Sequence, residues 1–231
     1  MKKNLLAFSF ALATGLTSLS VHAEATIQAG KEKSTACAGC HGENGNSMVS
    51  TFPKLAQQHS SYLIKQLQSF KGGTRNDPMM SSIALGLKDE DMLEIAAFYS
   101  AQKISENALP VLSNEEDEND ADKPATPTDS KKGEKDAIHT LIAQGSDLYR
   151  NGDLKREVSA CIACHGPHGE GNKPAAFPAL RGQHADYLIK TLNDFKSGAR
   201  SNNPDNMMHM ITKKMTTEEI KAVSYHISVM K

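Results

Sequence analysis

Apolar residues recur at helical spacing in two widely separated stretches of the chain. In HSSYLIKQLQSFKGG, Leu63, Leu67 and Phe70 fall on one face before Gly72 and Gly73 end the run. The pattern returns in HADYLIKTLNDFKSG, where Leu188, Leu192 and Phe195 precede Gly198. A further helix is predicted from about Asp89 to Tyr99, with Met92, Ile95, Ala96 and Tyr99 on one side. Its counterpart near the C-terminus opens on Thr216, three residues before Glu219, which is a capping-box spacing. Period-two alternation is scarce, so the pattern predicts an all-α fold of short helices and loops.

These stretches belong to a longer internal repeat. FPKLAQQHSSYLIKQLQSFKGGTR (52–75) matches FPALRGQHADYLIKTLNDFKSGAR (177–200) at a constant shift of 125, pairing Phe52, Pro53, Leu55, His59, Tyr62, Lys65, Phe70 and Arg75 with equivalents. Blocks in the same order with small insertions between them are the mark of a duplicated domain. The copies are expected at 24–112 and 143–231. Between them, 113–142 is acidic, then rich in Pro, Thr, Ser and Lys, with little to bury; it is read as a flexible, solvated linker. Residues 1–23 carry Lys2 and Lys3, an apolar run from Leu5 to about Leu19, and Val21-His22-Ala23 as a small-x-small cleavage site. This is read as a secretory signal peptide, its apolar run being shorter than the ~20 residues a membrane span needs. The mature chain is therefore expected in a bacterial periplasm.

Composition adds two constraints. Aromatic residues make up 5% of the 231 and tryptophan is absent, while a domain of roughly 80 residues has a marginal core unless a metal or cofactor completes it. Without residues 1–23 the chain holds 24 basic and 27 acidic side chains, too even a balance for a nucleic-acid partner. By segment the net charge is −1 for 24–112, −5 for 113–142 and +3 for 143–231; the acidic run is read first as a solubilising spacer, and second as a guide for a basic partner.

The chemistry lies in ACAGCHG (36–42) and ACIACHG (160–166), which contain the only cysteines of the chain, Cys37, Cys40, Cys161 and Cys164. A thioredoxin-like disulfide would want a βαβ context, which neither copy supplies. A four-cysteine zinc site would have to join pairs 121 residues apart across the linker, and would leave His41 and His165 unexplained. Covalent haem c accounts for every residue. Two thiols one helical turn apart reach the two vinyl groups, and the adjacent imidazole binds iron from the same side. The pattern thus predicts two haem c groups, tethered by Cys37 and Cys40 and by Cys161 and Cys164, with His41 and His165 on iron. For the opposite iron position each copy offers a methionine pair, Met79-Met80 and Met207-Met208, with Met210 close by. Met80 and Met208 both stand seven residues before an apolar residue at the entrance of the last helix, Leu87 or Met215, and are favoured for that shared spacing. His59 and His184 could each supply a second imidazole to iron and are read first as polar helix-start residues; Met92, Met215 and Met230 are read as core filler.

Two CxxCHG copies, each followed by FPxL, YLIKxLxxFKxGxR and a downstream NDPMM or NNPDNMM element, resemble the dihaem cytochrome c4 family over nearly all of 27–103 and 143–231. The resemblance implies two class I cytochrome c domains with His-Met iron, haems facing one another across the domain interface, and no enzymatic activity. It implies electron transport in the periplasm, with loose membrane association, from an upstream quinol-oxidising donor to a terminal oxidase such as the cbb3 type. It also suggests that the backbone carbonyls near Pro53 and Pro178 receive the histidine ring N–H; Arg75 and Arg200 are read equally as partners of haem propionates and as solvated charges. The linker is longer and more acidic than the family's usual connection. Two other readings of the residues are a dihaem cytochrome c peroxidase, which needs one iron open to peroxide, and a haem-based redox sensor, which needs an output segment.

Overall fold

The computed structural model describes residues 26–112 and 129–231; the segment read as a signal, 1–23, and residues 113–128 of the segment read as linker lie outside the described residues. The all-α expectation holds, since the described residues carry helices and only two isolated β-bridges, Asp153 with Val158 and Asn172 with Phe177. In the first half α1 (26–33) is followed by α2 (Thr35–His41), α3 (Ser60–Lys71), α4 (Pro78–Leu85) and α5 (Asp89–Ser100). The second half repeats the series as α6 (Asp129–Asn151), α7 (Ile162–His165), α8 (Ala185–Ser197), α9 (Met207–Thr212) and α10 (Thr217–Ser228).

Local sequence explains most of the boundaries. Asp77 caps α4 and Pro78 follows it, a position where the missing N–H of proline costs nothing. At α10 the expected capping box is present: Glu219 N–H donates to Thr216 Oγ1 at 3.2 Å and Thr216 N–H to the Glu219 carboxylate at 2.9 Å. The cores draw in part on equivalent positions, Leu63 with Leu188, Ile95 with Val223 and Tyr99 with Ile227. Leu63, Ile95, Ala96, Phe98 and Tyr99 pack in the first half, and Leu188, Val223, Ile220, Tyr149 and Ile227 in the second. Met92 and Met215 are buried within them.

The segment read as linker differs from the expectation beyond residue 128. Its last part, 129–142, forms the start of α6, and Ile138 is buried. The cause is tertiary, because α6 crosses α10 so closely that a Cβ on Gly145 would stand 2.0 Å from the Ala222 carbonyl oxygen. A Cβ on Gly30 of α1 would likewise stand 2.0 Å from the Glu94 carbonyl oxygen of α5. Packing of that kind sustains a helix whose own sequence is too polar to announce it.

The two halves dock through pairs of contacts related by an approximate two-fold. The buried Gln183 accepts from Lys54 N–H at 2.8 Å and donates to the Lys54 carbonyl at 3.0 Å. Its equivalent Gln58 does the same to Ala179, at 2.9 Å for each bond. His59 Nε2 lies 2.7 Å from the Glu170 carbonyl and His184 Nε2 lies 3.0 Å from the Ser47 carbonyl. A strap, 104–112, carries the first half onto the second. Asn107 Nδ2 lies within 3.1 Å of the carbonyls of Gly182, Gln183 and Ser228, and Tyr225 donates to the Val111 carbonyl at 2.9 Å. The Lys54 ammonium is held by the Ser105 carbonyl and Asn107 Oδ1.

Candidate functional site

The CxxCH elements occupy short helical turns, so that both thiols and the following imidazole project from one side of the backbone. His41 closes α2 and His165 closes α7, each buried and followed by a glycine at positive φ, Gly42 at 80° and Gly166 at 77°. That backbone turns the chain back toward the histidine. The Gly45 carbonyl then accepts from the N–H groups of Leu55 and Ala56, and the Gly169 carbonyl from those of Leu180 and Arg181. Gly45 itself has no room for a side chain, since a Cβ would stand 2.7 Å from both the Ala56 nitrogen and the Tyr99 ring.

This turn delivers the FPxL segment to the imidazole. His41 Nδ1 lies 2.9 Å from the Pro53 carbonyl and His165 Nδ1 lies 3.0 Å from the Pro178 carbonyl, as the resemblance suggested. A carbonyl only accepts, so Nδ1 carries the proton and Nε2 keeps its lone pair for a metal. Burial lowers the pKa of both rings, against the raising effect of the proline carbonyl, and so favours the neutral form that can ligate.

None of the four cysteines is paired in a disulfide. Burial raises the Cys37 thiol and pushes Cys161 up to about 11, the opposite of what a thiolate nucleophile or redox-active CxxC requires. Among the described residues no group of three or more His, Cys, Asp and Glu is placed to hold a metal ion, which removes the donor set a zinc site would need.

Of the methionines, Met79 and Met210 are about half exposed, whereas Met80, Met207 and Met208 are partly buried. Met80 and Met208 share one more property. The Met80 amide donates to Asp77 Oδ1 at 2.9 Å and the Met208 amide to Asn203 Oδ1 at 2.9 Å, and Asp77 and Asn203 both precede the proline of their repeat.

Between the two sites stand Arg75 and Arg200, both tucked into the domain interface. Arg75 donates to Tyr187 at 3.2 Å and to Gln66 at 2.8 Å; Arg200 donates to Tyr62 at 3.0 Å, Gln66 at 2.9 Å and Asn202 at 3.0 Å. Each guanidinium also covers a phenylalanine of its own half, Phe70 or Phe195, at 4.5 Å. Neither has a carboxylate in ion-pair contact among the described residues. Burial pushes the Tyr187 phenol up, but the two guanidiniums outweigh it and bring it down to about 8. One buried and one partly buried cation, each bonded only to neutral groups, are costly unless an anion joins them. Haem, with propionates at one edge, fits the arginines as its vinyl groups fit the cysteines.

The role of the domain interface was not legible in the repeat. His59 and His184 read as helix-start residues, yet their side chains, with those of Gln58 and Gln183, cross to the opposite half. The available signal was the recurrence of a polar Gln-His pair in both copies without a local partner, since neither histidine caps its own helix.

Comparison with known proteins agrees with this geometry. The family model for cytochrome c matches residues 27–103 and 142–231. A cytochrome c4 of Azotobacter vinelandii is 39% identical over 226 residues, covering 94% of each chain. The crystal structure of reduced recombinant cytochrome c4 from Pseudomonas stutzeri superposes with a TM-score of 0.74 at 34% identity, covering 89% of this chain and 98% of the other. A protein of Stutzerimonas stutzeri named as a thiosulfate dehydrogenase electron acceptor is 34% identical over 194 residues, 84% of this chain and 78% of its own.

Proposed function

Because the chain belongs to the cytochrome c4 family, whose members hold two covalent haem c groups and carry electrons rather than catalyse reactions, we propose that it is a periplasmic carrier between a membrane quinol-oxidising donor and a terminal oxidase such as the cbb3 type. In this reading 1–23 directs export, and 24–112 and 129–231 are the two haem-bearing domains joined through 113–128, α6 belonging to the second. Cys37, Cys40, Cys161 and Cys164 are the tethers, and His41, Met80, His165 and Met208 the axial ligands. The observation that carries the reading is the repeated CxxCH turn with its imidazole already oriented by a proline carbonyl, at 2.9 Å in one half and 3.0 Å in the other.

Bound haem supplies a reversible Fe(III)/Fe(II) couple, and methionine opposite histidine suits such a couple to electron transfer by keeping both axial positions filled. The protein's own part is positional and electrostatic. Pro53 and Pro178 hold each ring with Nε2 available. Asp77 and Asn203 fix the start of the segment bearing each methionine. Arg75 and Arg200 would neutralise haem propionates at the contact between domains, where the paired glutamines and histidines keep the two halves in one fixed relation. The relative named as a thiosulfate dehydrogenase electron acceptor supports a second class of donor, a dehydrogenase that hands its electrons to the cytochrome.

The mature protein should weigh its polypeptide plus two haems, and its oxidised form should show the weak near-infrared Fe(III)–thioether band. Met80→His and Met208→His should each remove part of that band. A one-haem mass, or a band unchanged in both variants, refutes the assignment.

A further inference from the structure

In each half the peptide group that orients the imidazole of CxxCH makes a second hydrogen bond, and its partner belongs to the other half. The Pro53 carbonyl lies 2.9 Å from His41 Nδ1, while the N–H of the same peptide unit, that of Lys54, donates to Gln183 Oε1 at 2.8 Å. The Pro178 carbonyl lies 3.0 Å from His165 Nδ1, while the N–H of its peptide unit, that of Ala179, donates to Gln58 Oε1 at 2.9 Å. The pattern is crossed, the glutamine of the second half serving the histidine of the first and the reverse. Both glutamines are buried, Gln58 at 7% and Gln183 at 6% exposure, where a hydrogen bond is stronger than in water. Their orientation follows from their partners: Oε1 also accepts from the N–H of the next residue, His59 or His184, at 3.0 Å, and Nε2 donates to the carbonyl of Ala179 or Lys54.

We propose that Gln58 and Gln183 are positioning residues for electron transfer: through one peptide group each, they set the basicity of the histidine ligand in the opposite domain, so that both haem potentials are lower with the domains docked than apart. The inference rests on His41 and His165 being axial ligands and is the same whichever methionine lies opposite. A peptide N–H that donates leaves its own carbonyl more negative, and one hydrogen bond strengthens the next by about 10–30%. The carbonyl then draws the Nδ1 proton more strongly, Nε2 becomes the better electron donor, and Fe(III) is stabilised more than Fe(II). Only an electron enters or leaves; the Nδ1 proton stays on the ring in both states.

Neither half supplies this bond to itself. Among the described residues the Lys54 N–H and the Ala179 N–H have no bonded acceptor besides the glutamine of the other half. The link runs through backbone, so it is the same whether the residue after the proline is Lys54 or Ala179. Asn107, by contrast, docks the strap onto the carbonyls of Gly182, Gln183 and Ser228 and touches neither peptide unit. Each single glutamine variant therefore keeps the other pair and Asn107 to hold the domains in contact.

The test is nuclear magnetic resonance of the full haem-loaded protein in its reduced, diamagnetic form, with the Nδ1 protons of His41 and His165 assigned by sequence. Gln183→Ala should move the His41 Nδ1 proton upfield and speed its exchange while leaving that of His165, and Gln58→Ala should do the reverse. Gln183→Glu and Gln58→Glu keep an oxygen for the peptide N–H, so neither should produce the upfield shift. In a potentiometric titration each alanine variant should raise one potential, and not the same one. Its Fe(III)/Fe(II) ratio at fixed potential should fall roughly two- to fourfold, about 18–36 mV at 59 mV per tenfold change for a one-electron couple. Shifts in the histidine of the substituted domain, equal shifts in both, alanine and glutamate variants that act alike, or no shift at all overturn the proposal. Ring signals of His41 and His165 that lack the porphyrin ring-current shift in the unsubstituted protein overturn ligation by these histidines instead.

Discussion

Gln183→Ala tests whether the paired glutamines hold the two domains together. Gln183 is 6% exposed and bonds both polar groups of the Lys54 backbone, itself 3% exposed, at 2.8 Å and 3.0 Å. Truncation leaves a buried N–H and a buried C=O without partners, at about 1–3 kcal/mol each. Water entering the vacated space recovers part of this, so about 2–4 kcal/mol should be lost from docking. That is a roughly 30- to 700-fold weaker contact between domains. Gln58→Ala breaks the equivalent pair on Ala179 at 2.9 Å, and should cost less because Ala179 is only partly buried. Small-angle scattering reads the separation as a larger radius of gyration, and flash photoreduction reads it as slower electron exchange between the haems. An unchanged near-infrared band shows that each domain is still folded. If the double variant keeps both the radius and the exchange rate of the parent, the glutamine pairs do not hold the interface and the reasoning fails.

Gly30→Ala and Gly145→Ala each place a methyl 2.0 Å from a backbone carbonyl of the facing helix, so thermal melting should fall in both, by an amount of the overpacking class at about 1–3 kcal/mol or beyond; an unshifted melt would show that the helices cross more loosely. Docking should also weaken in acid. Burial lowers the pKa of His184 below its ordinary value near 6.5, against the raising effect of the Ser47 carbonyl. The undocked, solvated ring therefore takes up a proton first, so the contribution of this contact is complete above about pH 6.5 and is lost as the pH falls below it. Scattering from pH 8 to pH 5.5 should show that expansion, and His184→Gln should reduce it; a slope unchanged in the variant would assign the effect elsewhere. Replacing Arg75 and Arg200 by methionine should leave both thioether bands intact while shifting both potentials downward, because the propionates lose their cations; potentials that stay in place would remove the arginines from the haem edge.

Much of the site was written locally. CxxCH specifies its own geometry within one helical turn, so Cys37, Cys40, His41 and their equivalents could be read without a fold, and the repeat supplied the second copy. The spacing of Leu63, Leu67 and Phe70 likewise specified α3, because a 3.6-residue period needs no distant partner to be recognised. The shared spacing of Met80 and Met208 to the last helix was also visible.

The domain contacts and α6 belong to the other category. Gln58 and Gln183 bond to backbone 121 and 129 residues away, and a polar side chain carries no sequence mark of which distant carbonyl will face it. Arg75 and Arg200 read equally as solvated charges until the interface buried them against tyrosines of the opposite half. The polar first part of α6 is helical because Gly145 lets it lie against α10. The sequence by itself therefore determined the helices, the duplication and the chemistry of attachment, which depend on neighbours a few residues apart. Only the tertiary structure decided how the two halves dock, because docking depends on long-range burial that removes water from polar groups and makes each remaining partner count.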